Sequence, residues 1–168
     1  FTNATPKNVV FPKPAVAGTA HANGGGFKAN TATVATSAYL GPNAMVLDTA
    51  QVLNSARIED CAVVRNNARV RDNAVVSGHG IVQDNAQVYG SAKVRDWGRV
   101  FGNAQVYENG KVIEHANCGD NGTTVSGNAV IKGTTYVYSP STVLGCAIWD
   151  GDTANGGTGV DHGAGFGW

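Results

Sequence analysis

Small and aliphatic residues recur two positions apart, once in every six residues, from Ala32 to Cys118. The pairs run Ala32/Val34, Ala38/Leu40, Ala44/Val46, Ala50/Val52 and Ala56/Ile58, and hold phase through Ala104/Val106, Gly110/Val112 and Ala116/Cys118. Fifteen hexads follow one another without a slip. One extra residue falls in Gly119-Asp120-Asn121-Gly122, after which Thr123/Val125, Ala129/Ile131, Thr135/Val137, Ser141/Val143 and Ala147/Trp149 bring the total to twenty. Residues two apart lie on one face of an extended strand. Each triplet therefore predicts a short strand with its small and aliphatic residues inward and its middle residue outward. A helix is excluded, because a period of six keeps no helical face inward and Asn/Gly pairs would interrupt it every turn.

The residues between triplets predict corners. Two positions before the small residue there is often Asp, Asn or Gly, as at Asp48, Asn54, Asp60, Asn66, Asp72, Gly78, Asp84, Gly90, Asp96 and Gly102, and the next position is often Asn or Ser. These residue types tolerate positive φ or satisfy turn backbone with their own side chains. No such strand buries its face alone, so successive coils must stack into a solenoid.

Composition agrees. The chain is 42% hydrophobic but only 8% aromatic, with 23 glycines in 168 residues. That suits narrow strands with small inward side chains and many tight turns. Twelve acids balance twelve bases, so net charge argues neither for nor against an anionic partner, although all six arginines fall between Arg57 and Arg99. No apolar stretch approaches transmembrane length, and neither a membrane nor a nucleic acid is an expected partner. The chain begins at Phe1 without an initiator Met, so a mature secreted product or a module of a larger protein is expected, secreted or at the cell surface. Cys61, Cys118 and Cys146 are odd in number and match no zinc spacing. Cys118 takes an inward aliphatic slot, where a small buried thiol is expected.

The pattern, aliphatic at one position and small two before it, resembles the hexapeptide-repeat proteins with left-handed parallel β-helices. The recurring NAxV wording looks like solenoid modules of bacterial secreted and surface proteins. The resemblance covers residues 32–149 and implies three hexads per triangular coil and a left-handed path. The expected architecture is thus all-β: a single-domain triangular parallel β-solenoid of six to seven coils over 32–149. An N-terminal cap over 1–31, blunted by Pro6, Pro12 and Pro14, and a Gly-rich C-terminal cap over 150–168 complete it.

With eighteen residues per coil, columns form at roughly the 4.8 Å strand spacing. One column reads Leu53, Arg71, Tyr89, Tyr107; another reads Arg65, Gln83, Phe101; a third, along a corner, reads Cys61, His79, Trp97, His115. Aromatic rings beside guanidinium groups suit a polysaccharide, the rings stacking on sugar faces and the cations meeting hydroxyls or carboxylates. Tyr89, Tyr107, Phe101, Arg71 and Arg95 are the candidate binding residues. The competing expectation is that such ladders only steady a flat sheet by neighbour packing.

Other chemistries are weaker expectations. His79 and His115 lie two coils apart, too far to share one ion. The hexapeptide transferases use a histidine at a subunit interface, but also carry an extended loop or terminal helix that this chain lacks. The three-histidine zinc site of γ-type carbonic anhydrases is not reproduced by the spacing of His21, His79, His115 and His162. Asp150, Asp152 and Asp161 in the Gly-rich tail are candidate Ca²⁺ ligands, without the closing glutamate of an EF-hand. No catalytic residue is assigned. The favoured expectation is a non-catalytic polysaccharide-binding module. The rival is a structural spacer or surface protein, trimeric through a flat apolar face at Met45, Val63 and Ile81.

Overall fold

The computed structural model describes residues 16–120, 122–138, 141–150, 153–155 and 158–161. It is an all-β parallel solenoid of about 7 turns. The hexads are short strands: Met45–Val46, Gln51–Val52 and Arg57–Ile58 make one coil, and Val63–Val64 returns to pair with Met45–Val46. Three parallel sheets result, one per side of the coil. We name them by their outward residues. The Met face carries Phe27, Met45, Val63, Ile81, Arg99 and Asn117 in register. The Gln face carries Thr33, Gln51, Arg69, Gln87, Gln105, Thr124 and Thr142. The Lys face carries Tyr39, Arg57, Val75, Lys93 and Lys111, then Val130 and Ile148.

The interior is one continuous column of the small and aliphatic residues. Every Val and Ala in these slots from Ala38 to Val112 is fully buried. Burying a valine contributes about 1.5 kcal/mol or more, and no strand of two residues could form without it. Three slots hold hydroxyls instead. Thr123, Thr135 and Ser141 are fully buried, and each returns its hydroxyl to a nearby turn carbonyl, that of Gly119, Lys132 or Tyr138. A buried hydroxyl needs that partner.

From Asp48 to Glu114 each corner is a tight turn whose second residue is left-handed, whereas the turns at Thr36 and Pro42 close without such a residue. Ala50 N–H closes one onto Leu47 O at 3.2 Å, with Asp48 at φ 55°. Asn66, Asp84 and Gly102 repeat that conformation down the same corner, at φ 60°, 62° and 62°. Asp, Asn and Gly are the residues that enter this region most readily. Glu108 and Glu114 also adopt it, at φ 56° and 60°. The extra residue after Gly119 is absorbed at one corner. Asn103 N–H still bonds Asp120 O, Gln105 N–H bonds Thr123 O, and pairing continues as Gln105 opposite Thr124.

Main-chain N–H groups point toward the following coil, as in Thr33 N–H to Ala50 O, so the N-terminal end presents carbonyls. These find partners. Asn23 Nδ2 and His21 Nε2 bond Ala38 O at 3.1 and 3.2 Å, and Gly26 N–H bonds Leu40 O at 3.0 Å. Strand Gly18–Ala20 lies antiparallel on Phe27–Ala29 and covers the edge of the Met face. Strand pairing therefore begins inside the segment expected as the N-terminal cap. At the other end Thr153–Asn155 and Thr158–Asp161 go on pairing with Tyr136–Tyr138 and Thr142–Gly145.

Candidate functional site

The three corners between the faces are edges along which side chains stack one per coil. The Tyr edge, between the Gln and Lys faces, carries Leu53, Arg71, Tyr89 and Tyr107. The Trp edge, between the Lys and Met faces, carries Cys61, His79, Trp97 and His115. The Phe edge, between the Met and Gln faces, carries Arg65, Gln83 and Phe101. The five candidate binding residues therefore divide. Arg71, Tyr89 and Tyr107 share the Tyr edge, Phe101 lies across the Gln face from them, and Arg95 stands two residues before Trp97 on the Trp edge.

On the Tyr edge the rings lie flat on one another along the rod. Tyr89 and Tyr107 stack with centroids 5.0 Å apart and planes 5° from parallel, and the Arg71 guanidinium covers the opposite face of this pair, 4.1 Å from the Tyr89 centroid. Such contacts are worth about 0.5–1.5 kcal/mol each. Both faces of Tyr89 are occupied. Its hydroxyl donates to Gln105 Oε1 at 3.2 Å, which leans the ring toward the Gln face. Burial among these neighbours, then the adjacent Tyr107, raises the Tyr89 phenol above the ordinary tyrosine range. Arg71 Nη1 is also paired with Asp72 Oδ2 at 3.2 Å.

The other aromatics are engaged similarly. Phe101 lays its ring tip over Gly119, one coil on, where a Cβ would overlap it. On the Trp edge His79 and Trp97 stack at 4.1 Å, and His115 lies 6.2 Å beyond, nearly parallel. Ring faces are thus turned toward neighbouring coils and ring edges toward solvent. The expectation that ring faces would stack on sugars does not match this geometry at Tyr89.

Many polar groups of the corners are likewise committed to the protein. Asp48, Asp60, Asp72, Asp84 and Asp96 each accept a main-chain N–H eighteen residues on, at 2.9–3.2 Å, from Asn66, Gly78, Gly90, Gly102 and Glu114. Glu108 and Glu114 reach Gly127 and Gly133 in the same way. Side chains at the next position form a second ladder, Asn67 to Asn85 to Asn103, at 3.3 and 3.2 Å. The role of the two glutamates was missed by sequence reasoning. Their signal is present, since both stand two positions before a small residue.

No family model matches this chain, nor does any curated protein or solved structure. The groups that remain open are consequently the guide to function. Among the described residues, Gln51, Arg69 and Gln87 make no side-chain hydrogen bond within the chain, although they stand in consecutive rungs of one flat face. Arg69 is exposed and the two glutamines half-buried. This strip is bordered by the phenol edges of Tyr89 and Tyr107 on one side and by Arg65, Gln83 and Phe101 on the other. Arg65 grips Gln83 Oε1 through Nε and Nη2, at 3.1 and 2.6 Å.

The Met face presents Met45, Val63 and Ile81 half-buried in consecutive rungs, ending at Arg99. The candidate Ca²⁺ ligands sit near the far end. Asp150 Oδ2 accepts from Lys132 Nζ at 2.7 Å, which raises the Lys132 ammonium above its usual range. Asp152 and the side chain of Asp161 lie outside the described residues. Among those residues no three His, Cys, Asp or Glu side chains gather around a common point. Cys61, Cys118 and Cys146 are free thiols, and Cys118 is fully buried in its inward slot.

Proposed function

We propose that this chain is a non-catalytic carbohydrate-binding module of the left-handed hexapeptide type, secreted or at the cell surface, that lays an extended polysaccharide along its Gln face. One observation carries the reading. Among the described residues Gln51, Arg69 and Gln87 offer amide and guanidinium groups in consecutive rungs with no partner, while the corner aspartates from Asp48 to Asp96 and the amides of Asn67, Asn85 and Asn103 are engaged in ladders. Unpaired donors and acceptors repeating at the strand spacing of about 4.8 Å suit a polymer of hydroxyl-bearing rings lying along the rod. Tyr89 and Tyr107 contribute their phenol edges as a border, and the Tyr89 hydroxyl orients Gln105. Arg71 acts by holding the tyrosine stack, and Phe101 borders the strip from the Phe edge. Arg95 has no part in this strip.

A glycan array probed with the whole chain tests this. Binding to at least one neutral polysaccharide is expected, weakened at least about tenfold in Gln51→Ala/Gln87→Ala and less so in Tyr89→Ala/Tyr107→Ala. The absence of binding to every neutral glycan would sink the reading.

The second reading is a structural spacer, and the occupied ring faces favour it. Aromatic and basic residues that pack on one another along a rod need no ligand to account for them. A trimer through Met45, Val63 and Ile81 belongs to this reading, and light scattering distinguishes it from a monomer.

A further inference from the structure

Lys93 and Lys111 stand directly opposite each other in neighbouring rungs of the Lys face. Like charges so placed repel, and no carboxylate among the described residues pairs with them. Among the described residues the ion pairs are Arg57–Glu59, Arg71–Asp72 and Lys132–Asp150, and none includes Lys93, Lys111, Arg95 or Arg99. Arg95 follows Lys93 at the Trp edge, and Arg99 opens onto the Met face just beyond it. Lys93, Arg95 and Arg99 are exposed, and between them projects Trp97, 53% exposed. The acids of this edge are already engaged: Asp60, Asp96 and Glu114 accept main-chain N–H groups of Gly78, Glu114 and Gly133, and Glu59 pairs with Arg57. Glu108, at the other border of the Lys face, accepts from Gly127.

We propose that this cluster is a second binding surface, separate from the Gln face, and that its partner is an acidic polysaccharide carrying carboxylates along an extended chain. The charge points to an anion, because the four cations lie without ion-pair partners around one edge. Lys93, Arg95 and Arg99 follow one another around a single coil and Lys111 stands one rung on from Lys93, so the charge is spread over two faces and the edge between them, which suits a polyanion better than a single small ion. The ring geometry disfavours nucleic acid. Single strands are held by stacking bases on open aromatic faces, and here Trp97 lies between His79 and His115 with its edge outward. The indole edge offers a carbon-rich contact for the sugar ring, and the guanidinium groups of Arg95 and Arg99 offer paired donors to a carboxylate.

Affinity electrophoresis of the whole chain tests the proposal, in gels cast with polygalacturonate or with its methyl ester, which carries no charge. Retardation by the polyacid and not by the ester is expected, falling as salt is raised. Lys93→Gln/Arg99→Gln/Lys111→Gln should reduce retardation at least about tenfold, and Arg95→Gln/Arg99→Gln provides a second pair of changes at exposed positions should the triple variant lose its strand signal in circular dichroism. Gln51→Ala/Gln87→Ala should leave retardation intact, which separates this surface from the Gln face. No retardation, equal retardation by the ester, or unchanged binding in folded variants of both kinds would each overturn the proposal. Tighter binding of a single-stranded oligonucleotide than of the polyacid would overturn it in favour of nucleic acid.

Discussion

Asp84 Oδ2 accepts the main-chain N–H of Gly102 at 3.1 Å, one coil further along the same corner, and Asn66 Nδ2 donates to Asp84 Oδ1 at 2.7 Å. Asp72 is held alike by Gly90 N–H and Asn54 Nδ2. The main-chain bond is the largest influence on each carboxyl and holds both below the usual aspartate range, against the opposing pull of burial. A carboxyl depressed in the folded state adds stability above its unfolded pKa, and loses it as pH falls through the folded value. The solenoid should therefore be most stable near neutrality, with its melting temperature falling once pH drops below about 4. Asp72→Asn/Asp84→Asn should flatten that acid limb and lower neutral stability by about 1 kcal/mol per site, discounted for solvent exposure. Melting curves of both proteins across the acid range check this.

Cys118 replaces valine in the inward column. Burial there pushes its thiol up to about 12, so almost no thiolate exists at neutral pH, and the thiolate is the reactive form. Cys146 is exposed and Cys61 half-buried. Alkylation of the native chain should modify Cys146 first, Cys61 next, and Cys118 only at the rate of global opening. Peptide mapping after timed iodoacetamide exposure reads this order. Early labelling of Cys118 would mean that the interior opens locally at the coil before the inserted residue.

The path of the chain is legible in the sequence because its period coincides with its geometry. Alternation puts Ala86 and Val88 inward and Gln87 outward, and Asp84 or Gly90 marks each corner because left-handed backbone restricts the choice of residue. Less legible is what a corner side chain does after the turn is made. That Glu108 reaches Gly127 N–H depends on a neighbour nineteen residues away and on a rotamer. The same holds for the rings. Counting by eighteens aligns Tyr89 with Tyr107, but whether they present faces or edges to solvent follows from how each lies on the next coil. Counting alone would have separated Arg95 from Tyr89, since they follow strands on different faces. Strand Gly18–Ala20 carries no hexad, and its antiparallel pairing with Phe27–Ala29 has no counterpart in the repeat.

Gly119 and Phe101 form a pair that the repeat does not require. A Cβ at Gly119 would overlap the tip of the Phe101 ring, and the ring can escape only by swinging away from its coil. Gly119→Ala should cost about 1–3 kcal/mol, the range for overpacking a filled site. Most of that should vanish in the background of Phe101→Ala, where the overlap is gone. A double-mutant cycle in denaturant gives the coupling. A coupling near zero would mean that the ring already moves freely and contributes little to the Phe edge.

Lys93 and Lys111 provide the sharpest separation between stability and binding. Each valine beneath them, Val94 and Val112, is fully buried, so replacing a lysine alters the surface alone. Opposed like charges on neighbouring strands are destabilising by a few tenths of a kcal/mol, and Lys93→Gln should accordingly raise stability by about that much at low salt. The gain should fade at high salt as screening weakens the repulsion in the parent chain. A residue kept only for the fold would show the reverse, a loss on replacement. Denaturant titrations of the Lys93→Gln variant and its parent at two ionic strengths measure the sign. A stabilised variant that has also lost polyacid retention identifies the pair as a site maintained against the interest of the sheet. A destabilised variant instead assigns Lys93 to the packing of its own face.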